Sequence, residues 1–433
     1  RLYVNEGTVY DEADAVSVGD TVVFNGTKGV MKFNNSIYTY SSCSSVFKVP
    51  ENKIGTLYLD GRCTYTGKLV GEGTLNVHAT WVRTWLNGDW SGFAGTINAY
   101  QDGVVAKATP SFNFTNSYGL SNATLNIQSG CTFLNTDPQT ASSYKDNLKI
   151  GALEGAGTLS GKGSYIVGTK DVNFGFSGTI EDGINVTKTG SGVWTMSSLQ
   201  PNMGTMTVDG GELQLRSTST TSTSTGVSVM NVNSGGTLSG FAYCGNSAVN
   251  LKANSTLSPG TPAKRITNST LIFSGDVNAE SGSNAKFNIF STSRYGNISV
   301  DGTLKLNGNV VVTLDEGYVA AVGDEFTLWK SATFTGTPKL ILPQLPAGLD
   351  WDTSALLANT GILKVVSSTG INGIYDDENV TCTVYALNGA TVGKFYCQAR
   401  DINAKIKQMT TKRGTYMVVI KSDHASVTKK ITF

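Results

Sequence analysis

Histidine is the scarcest residue that could do acid–base chemistry: the chain has two, His78 and His424. A serine or cysteine nucleophile needs a base within hydrogen-bond reach. His78 follows Leu75-Asn76-Val77 and reads as the end of a strand. The patterns H-E-x-x-H and G-x-S-x-G, the phosphate loop and the dinucleotide fingerprint do not occur. Carboxylates are the other candidates, because glycosidases use two acids roughly 5 to 9.5 Å apart. Asp60, Asp89, Asp171, Glu181, Asp182 and Asp209 are scattered over turn-like positions, where an acid ordinarily caps the backbone. Asp376-Asp377-Glu378 reads as an exposed turn, and it lacks the spacing of a calcium loop.

The densest local cluster is Trp81-Val82-Arg83-Thr84-Trp85, followed by Asp89 and Trp90. At the period of a strand, Trp81, Arg83 and Trp85 share one face. Such a row either stacks on sugar rings, which flat apolar faces and a forked donor suit, or packs a loop against the core. Of the six cysteines, Cys43 and Cys63 lie one structural repeat apart, and Cys382 and Cys397 flank a hairpin-like stretch. Each pair can form a disulfide in an oxidising compartment. Cys131 and Cys244 read as buried thiols. No C-x-x-C pair occurs, so no metal or cofactor is expected.

The elements that must position these residues are short strands. Of 433 residues, 39% are hydrophobic, only 15% are charged and 50 are glycine. That balance favours many tight turns and disfavours helices. A phrase of Gly, Thr and an apolar residue recurs: Gly55-Thr56-Leu57, Gly73-Thr74-Leu75, Gly95-Thr96-Ile97, Gly157-Thr158-Leu159, Gly178-Thr179-Ile180, Gly236-Thr237-Leu238 and Gly302-Thr303-Leu304. The spacing is often about 18 to 22 residues. Each unit is too small to bury its own apolar face, so the units must stack into one column. The predicted fold is all-β: a right-handed parallel β-helix followed by a small Ig-like β-sandwich. Residues 1–50 are expected to cap the solenoid, 51–337 to form it, 338–368 to close it and link onward, and 369–433 to form the sandwich. The net charge of +1, spread without a basic block, speaks against nucleic acid as a partner. No stretch is apolar enough for a transmembrane segment. The opening at Arg1 is read as that of a processed or trimmed chain, and a catalytic domain ahead of it remains an open alternative.

The middle of the chain resembles the autotransporter-associated β-strand repeat proteins. Lys188-Thr189-Gly190-Ser191-Gly192-Val193-Trp194 is similar to their repeat opening, Val208-Asp209-Gly210-Gly211-Glu212-Leu213 to its close, and Gly235-Gly236-Thr237-Leu238-Ser239-Gly240 to its continuation. Residues 370–433 resemble the C-terminal sorting domain of the Bacteroidetes type IX secretion system. The phrases that carry this are Val384-Tyr385-Ala386-Leu387-Asn388-Gly389, Lys412-Arg413-Gly414-Thr415-Tyr416 and the tail Lys429-Lys430-Ile431-Thr432-Phe433. Tyr385, Gly389, Gly414, Tyr416 and Lys430 are its motif positions.

Together the resemblances imply a secreted, outer-membrane-associated cell-surface stalk or adhesin. The repeat resemblance itself implies no activity, since such modules occur in stalks and also beside polysaccharide-degrading domains; the chain is expected not to be an enzyme, with the type IX machinery as a partner through residues 369–433. Surface glycans or other cell-surface proteins are further expected partners, with Trp81, Arg83, Trp85, Asp89 and Trp90 as contacts. The rival reading is a carbohydrate-active β-helix, either a polysaccharide lyase or hydrolase or a glycan-binding module. A trailing part of a larger polysaccharide-degrading enzyme is the third.

Overall fold

The computed structural model describes the chain except for residues 12–20, 35–40, 61–62, 80–84, 102–110, 115–117, 136–145, 162, 198–202, 218–226, 246–247, 261–269, 347, 368–373, 375–377, 411–413, 424–425 and 433. The elements among the described residues are almost all strands, and no helix among them is long and apolar enough to cross a membrane. The chain divides into two compact units. The larger comprises Arg1–Glu316, Leu328–Leu342 and Ala358–Gly361, and the smaller Gly317–Thr327, Pro343–Leu357 and Ile362–Phe433.

The larger unit is a parallel β-helix. Leu57, Val77, Ala99 and Ile127 are lateral neighbours in one row, although 20, 22 and 28 residues separate them along the chain. Each coil therefore adds one strand beside the last. A second parallel sheet of seven strands runs alongside, from Ser41–Cys43 to Thr179–Ile180. Inward residues are fully enclosed, and aromatic rings stack from coil to coil. One file runs Trp90, Phe114, Phe133 and Tyr165, with centroids 6.0, 5.8 and 6.3 Å apart.

The recurring phrase has a physical reason at each position. A Cβ on Gly95 would lie 1.9 Å from the Gly73 carbonyl oxygen, and one on Gly178 would lie 2.0 Å from that of Gly157. Only glycine lets successive coils approach so closely as they enter the strand. The next residue's N–H then bonds the coil before it: Thr96 donates to Gly73 at 3.0 Å and Thr179 to Gly157 at 2.8 Å. The apolar residue that follows points inward, as Ile97 and Ile180 do.

Two boundaries move. Residues 1–50 are not a separate cap. Leu2–Asp11 pairs in parallel with Thr21–Asn34, which pairs in turn with Val46–Val49 and Ile54–Asp60. These strands are coils, and the first of them carries the recurring phrase as Gly7-Thr8-Val9, so the repeat begins well ahead of residue 51. At the other end Lys339–Ile341 still pairs in parallel with Asn309–Leu314. The ladder thus runs past Pro338, and the antiparallel pair Leu349–Asp352 and Thr360–Ser367 follows it.

The C-terminal part of the smaller unit is a four-stranded antiparallel sheet in the order Thr391–Gln398, Asn379–Ala386, Thr415–Lys421, Ser426–Thr432. Where a sandwich calls for a second sheet, the described residues place a helix, Ile402–Met409. Ile402 and Ile406, four apart on one helix face, join Val380, Cys382, Val384, Val418 and Ile420 in the core.

Candidate functional site

Of the sequence cluster around Trp85, the structure describes Trp85, Asp89 and Trp90. Trp81 and Arg83 lie outside the described residues. Trp85 is half-buried in the second sheet, between Thr64 and Asn113. Trp90 is fully buried, donates from Nε1 to the Gly67 carbonyl at 3.3 Å and packs edge-on against Phe114. It is a core residue and cannot meet a glycan. Its indole is hydrophobic bulk with one donor, and the interior supplies an acceptor for that donor. Asp89 caps its own turn, accepting from the Ser91 N–H at 3.0 Å and the Ser91 hydroxyl at 2.6 Å. The hydroxyl bond is the main reason its carboxyl sits below the usual range.

Three of the other acids also accept hydrogen bonds. Asp171 accepts from the Ser191 N–H at 2.7 Å, and Asp209 from the Asn233 amide at 2.6 Å. Glu181 accepts from the Ser160 hydroxyl. Each of these bonds joins one coil to the next. The Asp60 side chain lies outside the described residues, as do Asp376 and Asp377.

What the structure does bring together on an outer face is a column that the sequence did not reveal. Lys32, Tyr58, His78 and Tyr100 are register partners on four successive strands. They alternate with the inward residues Met31, Leu57, Val77 and Ala99. The Lys32 ammonium sits 4.4 Å over the Tyr58 ring, a cation–π distance. His78 lies between the two tyrosines, with centroids 4.5 and 5.2 Å away. It is only 2% exposed, so its imidazole is enclosed by rings and not presented to a solute. Beside this column runs an amide ladder: Asn98 donates to Asn76 at 2.9 Å and Asn126 to Asn98 at 3.1 Å. A second ladder joins Asn250 to Asn231 at 3.0 Å and Asn278 to Asn250 at 3.4 Å. The signal for these ladders was present in the recurring strands, which repeat Asn at the same outward position.

Among protein-family models and curated proteins, nothing matches this chain. Its site therefore rests on the geometry alone.

Lys188, the basic residue of the repeat-like opening, has an unusual position. It occupies an inward slot between Val167 and Val208 of the neighbouring coils and is fully buried. Its stem fills the valine column while Nζ reaches a turn. There it donates to the carbonyls of Thr189 at 2.7 Å, Gly190 at 3.0 Å and Gly210 at 3.0 Å. Burial draws its pKa down to about 8, against a smaller upward pull from Asp171.

The cysteines resolve differently from the expected pairs. Cys43 is buried beside Tyr65 of the next coil, and Cys63 pairs with Ser41, so the two are offset along neighbouring strands. The Cys63 side chain lies outside the described residues. Cys382 and Cys397 are thiols in hydrogen-bond contact and not a disulfide. Their strands pair Cys382 with Phe395 and Cys397 with Val380, which makes the cysteines diagonal neighbours and not direct ones. Cys131 and Cys244 are buried thiols as expected, both pushed up to about 12 by burial.

The positions expected from the sequence as a sorting motif lie on or beside the terminal sheet. Gly389 takes φ +85 in the hairpin turn, which its N–H closes onto the Ala386 carbonyl at 2.9 Å. Tyr385, Met417 and Lys430 share one row, and Tyr416 lies opposite Ala386 and Ile431. Gly414 precedes the third strand.

Proposed function

We propose that the chain is a non-enzymatic, secreted cell-surface stalk, exported by a type IX system through residues 369–433. The observation that supports this most is where the polar side chains spend their hydrogen bonds. Asn76, Asn98 and Asn126, Asp171, Asp209 and Lys188 all bond the neighbouring coil. Groups that a catalyst would aim at a substrate are here aimed along the stack. A solenoid so joined resists shear between coils, which is what a stalk requires. The enclosed His78 agrees with a role in packing rather than proton transfer.

Two measurements test the reading. The full chain is incubated with pectic and host polysaccharides and new reducing ends or unsaturated products are counted. Turnover that is lost on a single change such as Glu181→Gln would overturn the stalk. For export, the gene is expressed in a bacterium with a type IX system, with and without residues 369–433. The full chain is expected at the surface and the truncated one in the periplasm. Equal surface levels would refute the role given to the terminal unit.

A further inference from the structure

The terminal sheet has two faces, and the helix Ile402–Met409 covers one. The register sets the alternate residues on the other. Tyr396 and Lys421 share a row through Thr381, Lys394 stands in the next row beside Thr383, and Tyr385 shares the third with Lys430. Tyr396 is 66% exposed, and the three lysines are exposed. None of the residues paired across these rows is a carboxylate. The face is thus flat, basic and aromatic, on a chain whose net charge is only +1.

The spacing of the charges narrows the ligand. With strands about 4.8 Å apart and two-residue steps of about 6.8 Å, the backbone positions of Lys394, Lys421 and Lys430 form a triangle with sides of about 12 to 16 Å. A nucleic acid carries a phosphate every few ångströms, and tight binding there takes a denser run of cations. Cations spread this widely suit a polyanion whose charges are sparse. The exposed Tyr396 ring and the half-buried Tyr385 ring offer apolar faces on which sugars stack, and Thr381 and Thr383 stand in the same rows.

We propose that this face binds an acidic polysaccharide with sparsely spaced carboxylates. Lys394, Lys421 and Lys430 meet the carboxylates, and Tyr385 and Tyr396 contact the sugar rings. The site is separate from the Trp85 cluster and holds whether or not the chain is exported by a type IX system.

The test is calorimetric titration of the full chain with a hyaluronan decasaccharide, which has one carboxylate per disaccharide. Neutral maltodecaose and a ten-residue oligothymidylate are titrated in parallel. Hyaluronan is expected to bind at least tenfold more tightly than either, and to weaken as salt rises. The variant Lys394→Gln/Lys421→Gln/Lys430→Gln should lose at least tenfold, with its melting temperature unchanged. Tyr396→Ser, at an exposed position the core does not use, should lose at least threefold and guards against a fold defect in the triple variant. Absent hyaluronan binding, equal affinity for maltodecaose, tighter binding of oligothymidylate, or full affinity in both variants would each overturn the proposal.

Discussion

Replacing Lys188 by methionine keeps the buried stem and removes the ammonium, which isolates what the charge contributes. Three carbonyls at 2.7, 3.0 and 3.0 Å lose their donor. Thr189, Gly190 and Gly210 are half-buried, so each orphaned acceptor falls at the low end of the usual penalty, about 1 kcal/mol. The sum is about 3 kcal/mol, at the edge of the range for breaking a buried ionic contact. In a stacked array such a loss stays near its own coil. Hydrogen exchange read by mass spectrometry resolves it locally, since about 3 kcal/mol corresponds to about a hundredfold in the opening equilibrium. Peptides over Asn185–Lys188 and Thr205–Val208 should exchange about a hundredfold faster in Lys188→Met, while those over Asn309–Leu314 stay as they were. A change below threefold, or an equal acceleration along the whole β-helix, would refute the view of Lys188 as a local tie between coils.

The same lysine sets a pH dependence. Its folded-state pKa of about 8 lies below the ordinary 10.5, so between those values the unfolded chain binds more protons and this contribution to stability rises with pH. The melting-temperature gap between the chain and Lys188→Met should therefore widen from pH 8 to pH 10.5; a narrowing gap contradicts it. Asn98→Ala removes two ladder bonds and should cost about 2 kcal/mol, read as faster exchange in Thr74–Ala79 and Leu120–Ile127. Trp90→Ala should lower stability by about 3–5 kcal/mol, measured by urea unfolding. It should leave glycan-array signals unchanged, and a selective loss of signal with the fold intact would restore Trp90 as a contact. Alkylation followed by peptide mapping should modify Cys397, which is half-buried, ahead of the buried Cys131 and Cys244; the reverse order would refute the burial.

The architecture was legible because the recurring phrase is a direct imprint of coil contact. A glycine that must touch the previous coil, an N–H that must bond it and an apolar side chain that must enter the column leave a three-letter trace. Where the contact is made otherwise the trace vanishes. Thr21–Asn34 joins the ladder without the phrase, because its Gly26-Thr27 is followed by Lys28, and Asn5 meets Gly26 at an irregularity between Val4 and Glu6. The helix Ile402–Met409 was missed because two buried isoleucines four apart make too short a pattern to outweigh the surrounding strand signals.

The outer faces were harder to read for a different reason. Periodicity says which residues point outward, but lateral register decides which of them meet. Tyr58, His78 and Tyr100 are 20 and 22 residues apart, and nothing local ties them together. The same holds for Lys394, Lys421 and Lys430, which come from three strands with turns of unequal length between them. Trp85 and Trp90 drew attention because they are close in sequence, yet in a parallel solenoid residues close in sequence lie along one coil. The surface a ligand meets is assembled across coils, one residue from each. A functional face in such a fold is therefore to be sought among residues spaced by one coil, and a compact run of attractive side chains is more often a single coil's contribution to the core.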